Sequence, residues 1–192
     1  MLYCQGPSPK KLRLKCNGLS MKQIPATRPQ PLPMGACRLP IVFASVTRLR
    51  VRSLRYIPAF VWKTLFAQRQ VVRAPGFLGG RLLIDAHRTF WTLTAWESER
   101  AMKTFRGSAA HAQAMPWLVE WCDEASYAHW IATDASIPTW PQAYERLVGE
   151  GRLSRVAHPS RDHNERRFAK PRLEPLIGQD LKPARPGSAH TP

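Results

Sequence analysis

The fold of this chain is decided by the stretch from Phe90 to Trp130, FWTLTAWESERAMKTFRGSAAHAQAMPWLVEWCDEASYAHW. It contains five of the seven tryptophans and two of the six histidines. Its pattern predicts a strand, a helix interrupted at Gly107, and a second strand. We expect the chemistry of the protein to involve this stretch, although no motif in it fixes a reaction.

The first predicted strand of this stretch, residues 89–96, carries bulky side chains on both faces. Phe90, Thr92, Thr94 and Trp96 alternate with Trp91, Leu93 and Ala95. A strand that is bulky on both faces is expected to be covered on both. Helices of the same domain can cover one face, and the other face then needs a second sheet, a ligand or a partner subunit.

Two short helices are predicted next. Ser98 is a good N-cap for the first, and Ser108 caps a second that runs to about Glu120 with Pro116 inside it. The spacing places one set of side chains on a single face of the second helix, namely His111, Met115, Leu118 and Cys122. A further strand is predicted at residues 125–132.

Outward from this stretch, the pattern predicts strands at residues 41–53 and 77–85 and helices at 56–73 and 137–148. The order is βαββαβ plus one C-terminal helix, which predicts an α+β, ferredoxin-like domain with helices on one face of an antiparallel sheet. Trp62 and Phe66 are expected in its core. Packing the helix-free face against a second copy would bury it, so we expect a homodimer.

The positive charge is concentrated in the first half of the chain. Residues 1–84 carry 15 lysines and arginines and no acidic residue, whereas residues 85–192 carry 14 against 13 acidic residues. This asymmetry fits a basic arm and a basic sheet rim, and it leaves nucleic acid or an anionic membrane open as a partner. Nucleic acid is not favoured, because RTFWTLTAW at 88–96 lacks the glycine of an RNA-recognition strand.

The domain boundaries follow from composition. Residues 1–40 are predicted to be a disordered basic arm, with translation from Met34 as an alternative; residues 41–158 form the domain, and residues 159–192 a disordered tail. No apolar run is long enough for a membrane span, and no signal peptide is recognised. The four cysteines lack zinc-ligand spacing, so we expect reduced thiols in a cytoplasmic protein.

The phrases WTLTAWESERAMKTF, AAHAQAMPWL and WCDEASYAHW resemble the antibiotic-biosynthesis-monooxygenase-like dimeric α/β barrels. The likeness is greatest to an uncharacterised, DUF3291-like branch that is sometimes compared with spheroidene monooxygenase, and it covers residues 41–158. The resemblance implies a barrel-forming dimer with a pocket between each sheet and its own helices. Relatives include cofactor-free monooxygenases, haem-degrading and haem-binding enzymes, and proteins without known activity.

The resemblance also implies a site. In the haem-degrading relatives a histidine of the second helix ligates iron, and His111 occupies the matching helix. The strand-one asparagine and the preceding tryptophan of those relatives are missing, because no asparagine lies between Cys37 and Arg161 and the preceding helix carries Met102 and Phe105. The Asn/Trp/Trp set of the cofactor-free enzymes is likewise incomplete. Monooxygenase activity is therefore expected by analogy only.

We therefore predict a pocket that binds haem or a small aromatic or isoprenoid ligand. His111 is the candidate catalytic residue and iron ligand, Met115 the second cofactor-binding residue, and the substrate pocket comprises Trp91, Trp96, Trp117 and His129. No other metal site is expected. Three alternatives stay open: a His111 that is only hydrogen-bonded in the core, a non-catalytic barrel, and a basic nucleic-acid-binding protein.

The strand-one arginines and a carboxylate cluster form a separate pattern. Arg48, Arg50 and Arg52 lie on one strand face and either hold an anion or face solvent. Glu120, Asp123 and Glu124 are expected to pair with these arginines rather than to act as a catalytic acid and base.

Overall fold

One antiparallel sheet organises the part of the chain that the computed structural model describes, which is residues 41–85, 87–132, 134, 136–171 and 177–184. The strands are β1 (Val42–Val51), β2 (Phe77–Ile84), β3 (Thr89–Trp96), β4 (Cys122–Ala132), β5 (Arg152–Leu153) and β6 (Ile177–Leu181). The helices are α1 (Ile57–Val71), α2 (Glu99–Arg106), α3 (Ala109–Trp121), α4 (Trp140–Glu150) and α5 (Arg161–Asn164). The predicted arm at 1–40 and the Met34 alternative lie outside the described residues.

The strand order is β5-β4-β1-β3-β2-β6, and every neighbouring pair is antiparallel. Its four central strands and the helices between them confirm the predicted α+β, ferredoxin-like fold. β3 spans the predicted residues because its alternating bulky side chains suit a strand buried on both faces. The short strands β5 and β6 extend the sheet at its two edges.

Helices α1, α2 and α3 cover one face of the sheet, which we call the helix side. Two apolar clusters fill it. One joins Phe60 and Trp121 to Phe90, and the other joins Met102 to Phe77 and Trp96. Between them the sheet presents polar or half-buried side chains, and these are Ser45, Thr47, Thr92, Thr94, Tyr127 and His129.

Helix α4 covers the opposite face, which corrects the expectation of helices on one face only. Ala143 and Leu147 of α4 are fully buried against Val46 and Leu93. Burial of these apolar side chains within one chain removes the reason for which a second sheet was expected. The homodimer and the dimeric barrel stay predictions.

The C-terminal segment 159–192 differs from the expected disordered tail wherever the structure describes it. α5 packs beside β4, and β6 pairs with β2, where Leu181 is buried in the cluster around Trp96. The strand gains backbone hydrogen bonds and apolar burial from residues distant in sequence, which composition alone does not reveal.

The outward face of α1 is the second feature that differs from the sequence-based expectation. Trp62 is 62% exposed and Phe66 is 40% exposed, so the expectation that both lie in the core is wrong. The helix is apolar on both sides, and Phe60 and Val71 are the residues that it buries. When a helix is apolar on two sides, the helical period of its sequence does not identify the side that packs against the sheet.

Gly79 and Gly80 lie at a bulge in β2, where the register shifts between Phe77 and Gly79. A side-chain carbon at Gly79 would lie 2.7 Å from Ile137 Cδ1, and Gly79 has a φ of +150°. The glycine therefore lets the segment before α4 approach the sheet closely.

Candidate functional site

The candidate site is a group of rings on the helix side, at the end of the sheet that α2 covers. We call it the aromatic cluster, and its members are Phe43, Trp96, Phe105, His111, Tyr127 and His129. Ring centroids are 4.8 Å apart for Phe105 and His111 and 5.2 Å apart for Phe105 and Trp96. On the sheet, His129 lies 5.6 Å from Phe43, which is the β1 partner of Trp96. Both candidate histidines thus border one continuous set of rings.

His111 lies in the first turn of α3 and is held at two points. Its backbone N–H donates to the side-chain oxygen of Gln70 at 2.9 Å, and its Nδ1 lies 3.1 Å from the carbonyl oxygen of Arg106. A carbonyl only accepts, so this contact assigns the proton to Nδ1 and leaves the Nε2 lone pair free. Burial, the largest influence, lowers the pKa of His111, which favours the neutral ring near pH 7.

His129 lies on β4, beneath α2. Its ring is 4.9 Å from that of Tyr127. Burial lowers the pKa of His129 first of all, the positive charge of Arg106 lowers it further, and Glu99 opposes the shift. A second neutral imidazole therefore lies on the same side of the sheet as His111.

Trp96 contributes an unusual polar atom to the cluster. Its side chain is fully buried, and its indole Nε1 has no hydrogen-bond partner among the described residues. A buried N–H without a partner costs free energy, and an acceptor on a bound molecule would relieve that cost. Trp96 is thus the predicted pocket residue with the clearest capacity to bind a polar atom of a ligand.

A surface groove of about 600 Å³ lies beside the cluster. It runs between the C-terminal part of α1 and α2, and its lining includes Gln70, Glu97, Arg100, Phe105 and Ser108. Phe105 lines the groove and also belongs to the aromatic cluster, so the groove reaches the edge of that cluster.

The remaining predicted pocket residues are not brought together. Trp91 lies on the opposite face of the sheet, where its Nε1 is 3.4 Å from Asp85 Oδ2. Trp117 is 50% exposed and stacks on Trp121 at the far end of α3. Met115 is exposed, although it stands one turn after His111. Alternation in β3 had already placed Trp91 and Trp96 on different faces.

The expected pairing of the strand-one arginines with carboxylates is confirmed. Arg48, only 3% exposed, donates to Glu124, and Arg50 makes a two-point contact with Asp123 at 2.9 and 3.0 Å. These pairs neutralise the arginines, so the structure gives no support to an anion site there. Arg52 instead donates to the backbone oxygen of Glu120.

Sequence reasoning missed a polar group that joins this ion-pair cluster. His163 of α5 is buried and accepts a 3.4 Å hydrogen bond from the Ala125 backbone, and Ser160 donates to Glu124 at 3.0 Å. Both lie in the segment predicted to be a tail. In the motif Ser160-Arg-Asp-His163 the serine caps a short helix. This capping serine was the sequence signal from which α5 could have been predicted.

Two structural findings bear on other classes of site. The described residues contain no group of three or more histidine, cysteine, aspartate or glutamate side chains placed to hold a metal ion. Among the same residues, no helix is long and apolar enough to cross a membrane.

The family model for antibiotic biosynthesis monooxygenase matches residues 61–117. This range runs from α1 into α3 and includes β2, β3 and His111, but it is less than a third of the chain. No curated protein matches the chain. The finer resemblance to the spheroidene-monooxygenase-like branch stays a prediction.

Several solved structures resemble the fold at low identity. A candidate antibiotic biosynthesis monooxygenase from Nitrosomonas europaea is 15% identical, with 50% of this chain and 93% of that protein covered and a TM-score of 0.43. A Mycobacterium tuberculosis protein is 16% identical, with 50% and 99% covered and a TM-score of 0.46. A Pseudomonas aeruginosa protein is 10% identical, with 48% and 94% covered and a TM-score of 0.43.

At this identity and TM-score the structural matches carry no argument about function. The family match rests on the sequence of α1 to α3, and the ferredoxin-like topology agrees with it. The chain is therefore an α+β protein that is similar to the antibiotic biosynthesis monooxygenases over residues 61–117.

Proposed function

We propose that this protein binds a small aromatic or isoprenoid molecule, or haem, at the aromatic cluster and acts there as a monooxygenase-like enzyme. The observation that carries the proposal is the state of His111. Its Nδ1–H is directed to the Arg106 carbonyl, which holds the ring and leaves Nε2 as the acceptor. The match of residues 61–117 to the monooxygenase family supports the same reading.

His111 has two chemical uses in this arrangement. Toward a phenolic ligand, Nε2 can accept the hydroxyl proton, because the lowered pKa of His111 keeps the ring unprotonated near pH 7. Deprotonation makes an aromatic ring richer in electrons and easier to oxidise. The indole N–H of Trp96 can donate to a carbonyl or phenolate oxygen of the same molecule.

The donor chemistry of His111 also fits a ligand of haem iron, which Nε2 would hold if haem binds. Ligating histidines commonly donate their other ring N–H to a backbone carbonyl, as His111 does to Arg106. Haem, when bound, supplies iron-centred redox chemistry. The strand-one asparagine of the haem-degrading relatives is absent, so haem degradation is not part of the proposal.

Haem titration of the purified full chain tests the iron-ligand arm. We expect a Soret band that changes in His111→Ala and is retained in His129→Ala, which removes the other half-buried imidazole. Identical spectra for the native chain and His111→Ala would overturn axial ligation. Quenching of tryptophan fluorescence by a hydroxynaphthalene probe tests the aromatic-ligand arm, and Trp96→Phe should weaken that quenching.

A non-catalytic domain is the second candidate, and one observation favours it. Trp96 and Phe105 already pack together in the position where a ligand would lie. If the rings only fill space, neither haem nor the naphthalene probe will bind, and Phe105→Ala will lower stability without creating binding. Binding that increases in Phe105→Ala would instead indicate a cavity gated by this side chain.

A further inference from the structure

The α1–α3 surface of this protein is apolar where a helix pair normally meets water. Trp62, Leu65 and Phe66 on α1 are exposed, and so is Trp117 on α3. The rings of Trp62 and Phe66 pack edge to face at 5.1 Å. We call these four side chains the apolar patch. Because exposed apolar clusters of this kind are uncommon on monomeric proteins, we expect the patch to contact a partner.

Cations border the apolar patch on both helices. The ammonium group of Lys63 lies 5.9 Å from the ring of Trp117, and the guanidinium group of Arg69 lies 5.7 Å from the ring of Phe66. Arg55 stands next to the start of α1, over the ring of Tyr56. α1 contains no acidic residue, and Glu120 at the end of α3 is the acidic residue of that helix. The partner is therefore expected to carry negative charge.

Three kinds of partner can be compared for the apolar patch: a second copy of this chain, a single-stranded nucleic acid and an anionic bilayer. A second copy placed face to face would bring Lys63 and Arg69 against their own equivalents, which is unfavourable. A single-stranded nucleic acid would stack its bases on aromatic faces, but cations already lie over the faces of Trp117 and Phe66. An anionic bilayer surface accepts both the apolar side chains and the cations around them.

We infer that the apolar patch docks this protein on an anionic phospholipid surface. Trp62, Phe66 and Trp117 enter the boundary between headgroups and acyl chains, where amphipathic aromatic rings are favoured. Lys63 and Arg69 remain at headgroup level and pair with lipid phosphates. Docking leaves the groove between α1 and α2 at the membrane, since Gln70 lines it two turns after Lys63.

Co-sedimentation with vesicles tests the inference with the full chain. One set of vesicles is phosphatidylcholine alone, and the other also contains phosphatidylglycerol. We expect binding to the anionic set only. Because residues 1–40 carry seven further basic residues and no acid, binding of the native chain alone does not identify the surface. The variants decide this.

Trp62→Ser combined with Phe66→Ser should weaken binding to the anionic vesicles by roughly tenfold or more, because two rings no longer enter the bilayer. Val148→Ser removes an equally exposed apolar side chain from α4 and should change nothing. Lys63→Gln with Arg69→Gln should weaken binding by roughly 25-fold at low salt, at about fivefold per charge. Arg155→Gln, exposed near α5, is the matched charge control.

Four outcomes overturn the inference. In the first two, the native chain does not bind anionic vesicles, or the Trp62/Phe66 double variant binds them as well as Val148→Ser does. In the other two, the native chain dimerises or binds single-stranded RNA, and the double variant has lost that property. The midpoint temperature of thermal unfolding should be the same for the double variant and the native chain, because both side chains are exposed. That measurement separates lost docking from lost folding.

Discussion

The side-chain oxygen of Gln70 on α1 accepts a 2.9 Å hydrogen bond from the backbone N–H of His111 on α3. The amide of Gln70 also donates to the backbone oxygen and the hydroxyl of Ser108, at 2.9 and 3.0 Å. The first N–H groups of a helix lack intrahelical partners, and Ser108 makes no side-chain cap of its own. A residue of α1 thus caps α3 and positions the candidate catalytic histidine.

Gln70→Ala should lower the free energy of unfolding by about 1–2 kcal/mol, the usual cost of losing a cap and buried hydrogen bonds. The reason is that the N–H of His111 and the carbonyl of Ser108 lose their partner. Urea denaturation measures the change. Gln68→Ala is the matched control, because it makes the same substitution in α1 at a side chain with no comparable contact to α3. Equal effects of the two variants would show that the Gln70 bonds contribute nothing.

The buried pair of Arg48 and Glu124 gives a second prediction. Glu124→Gln should lower the free energy of unfolding by about 3 kcal/mol, because it leaves the charge of Arg48 uncompensated in the interior. Glu120→Gln changes an exposed carboxylate and should alter stability by less than about 0.5 kcal/mol. Guanidinium denaturation of the three proteins checks both statements.

The double variant Arg48→Met with Glu124→Gln then distinguishes charge from packing. Removing both charges should restore part of the stability lost in Glu124→Gln, since no unpaired charge is left. If the double variant is less stable than Glu124→Gln alone, the pair acts through the packing of Arg48 on Trp91, whose ring centroid is 5.6 Å from the guanidinium carbon.

Local signals were sufficient for much of the fold. Ser98 caps α2 by accepting from the backbone of Ala101, as its position before an acidic first turn predicts. The predicted alternation in β3 was also correct, because the side-chain period of a strand is a local property. His111 was singled out by the family resemblance together with its place on a predicted helix, but its orienting contacts to Gln70 and Arg106 depend on how the helices pack.

Non-local packing explains what sequence reasoning missed. The second face of β3 was expected to need a second sheet, a ligand or a partner subunit, but Leu147 of α4 packs against it. Trp62 was expected in the core because α1 is apolar on more than one side. Leu181 lies among prolines and charged residues, and only its pairing with β2 makes that segment a strand.

The revised C-terminal boundary predicts the effect of truncation. A chain ending at His158, the predicted domain end, loses Leu181 from the core and the Ser160 contact to Glu124. Its free energy of unfolding should fall by at least about 3 kcal/mol, from lost apolar burial and hydrogen bonds. A chain ending at Ala184, whose N–H donates to Val72, should keep native stability. Equal thermal unfolding of the two truncated chains would contradict the role given to α5 and β6.

The buried histidine of α5 makes stability depend on pH. Burial lowers the pKa of His163 most; Arg48 also lowers it, whereas Glu124, Asp123 and a hydrogen bond to the Ser154 backbone oppose the shift. A histidine in the unfolded chain titrates near pH 6.5. Between that pH and the lower folded pKa, the unfolded chain therefore binds a proton at His163 that the folded chain does not bind. Stability should be constant above about pH 7 and fall as pH drops through about 6.5 toward the folded pKa, by at most about 1.4 kcal/mol per pH unit for this group.

Urea denaturation between pH 7.5 and 5, a window set by the ordinary histidine pKa of about 6.5, measures this slope. His163→Gln removes the titrating ring and should flatten the fall. The lowered pKa values of His111 and His129 act in the same direction, so His163→Gln leaves a residual slope. A slope that is identical in the native chain and in His163→Gln would show that α5 releases His163 to water before the sheet unfolds.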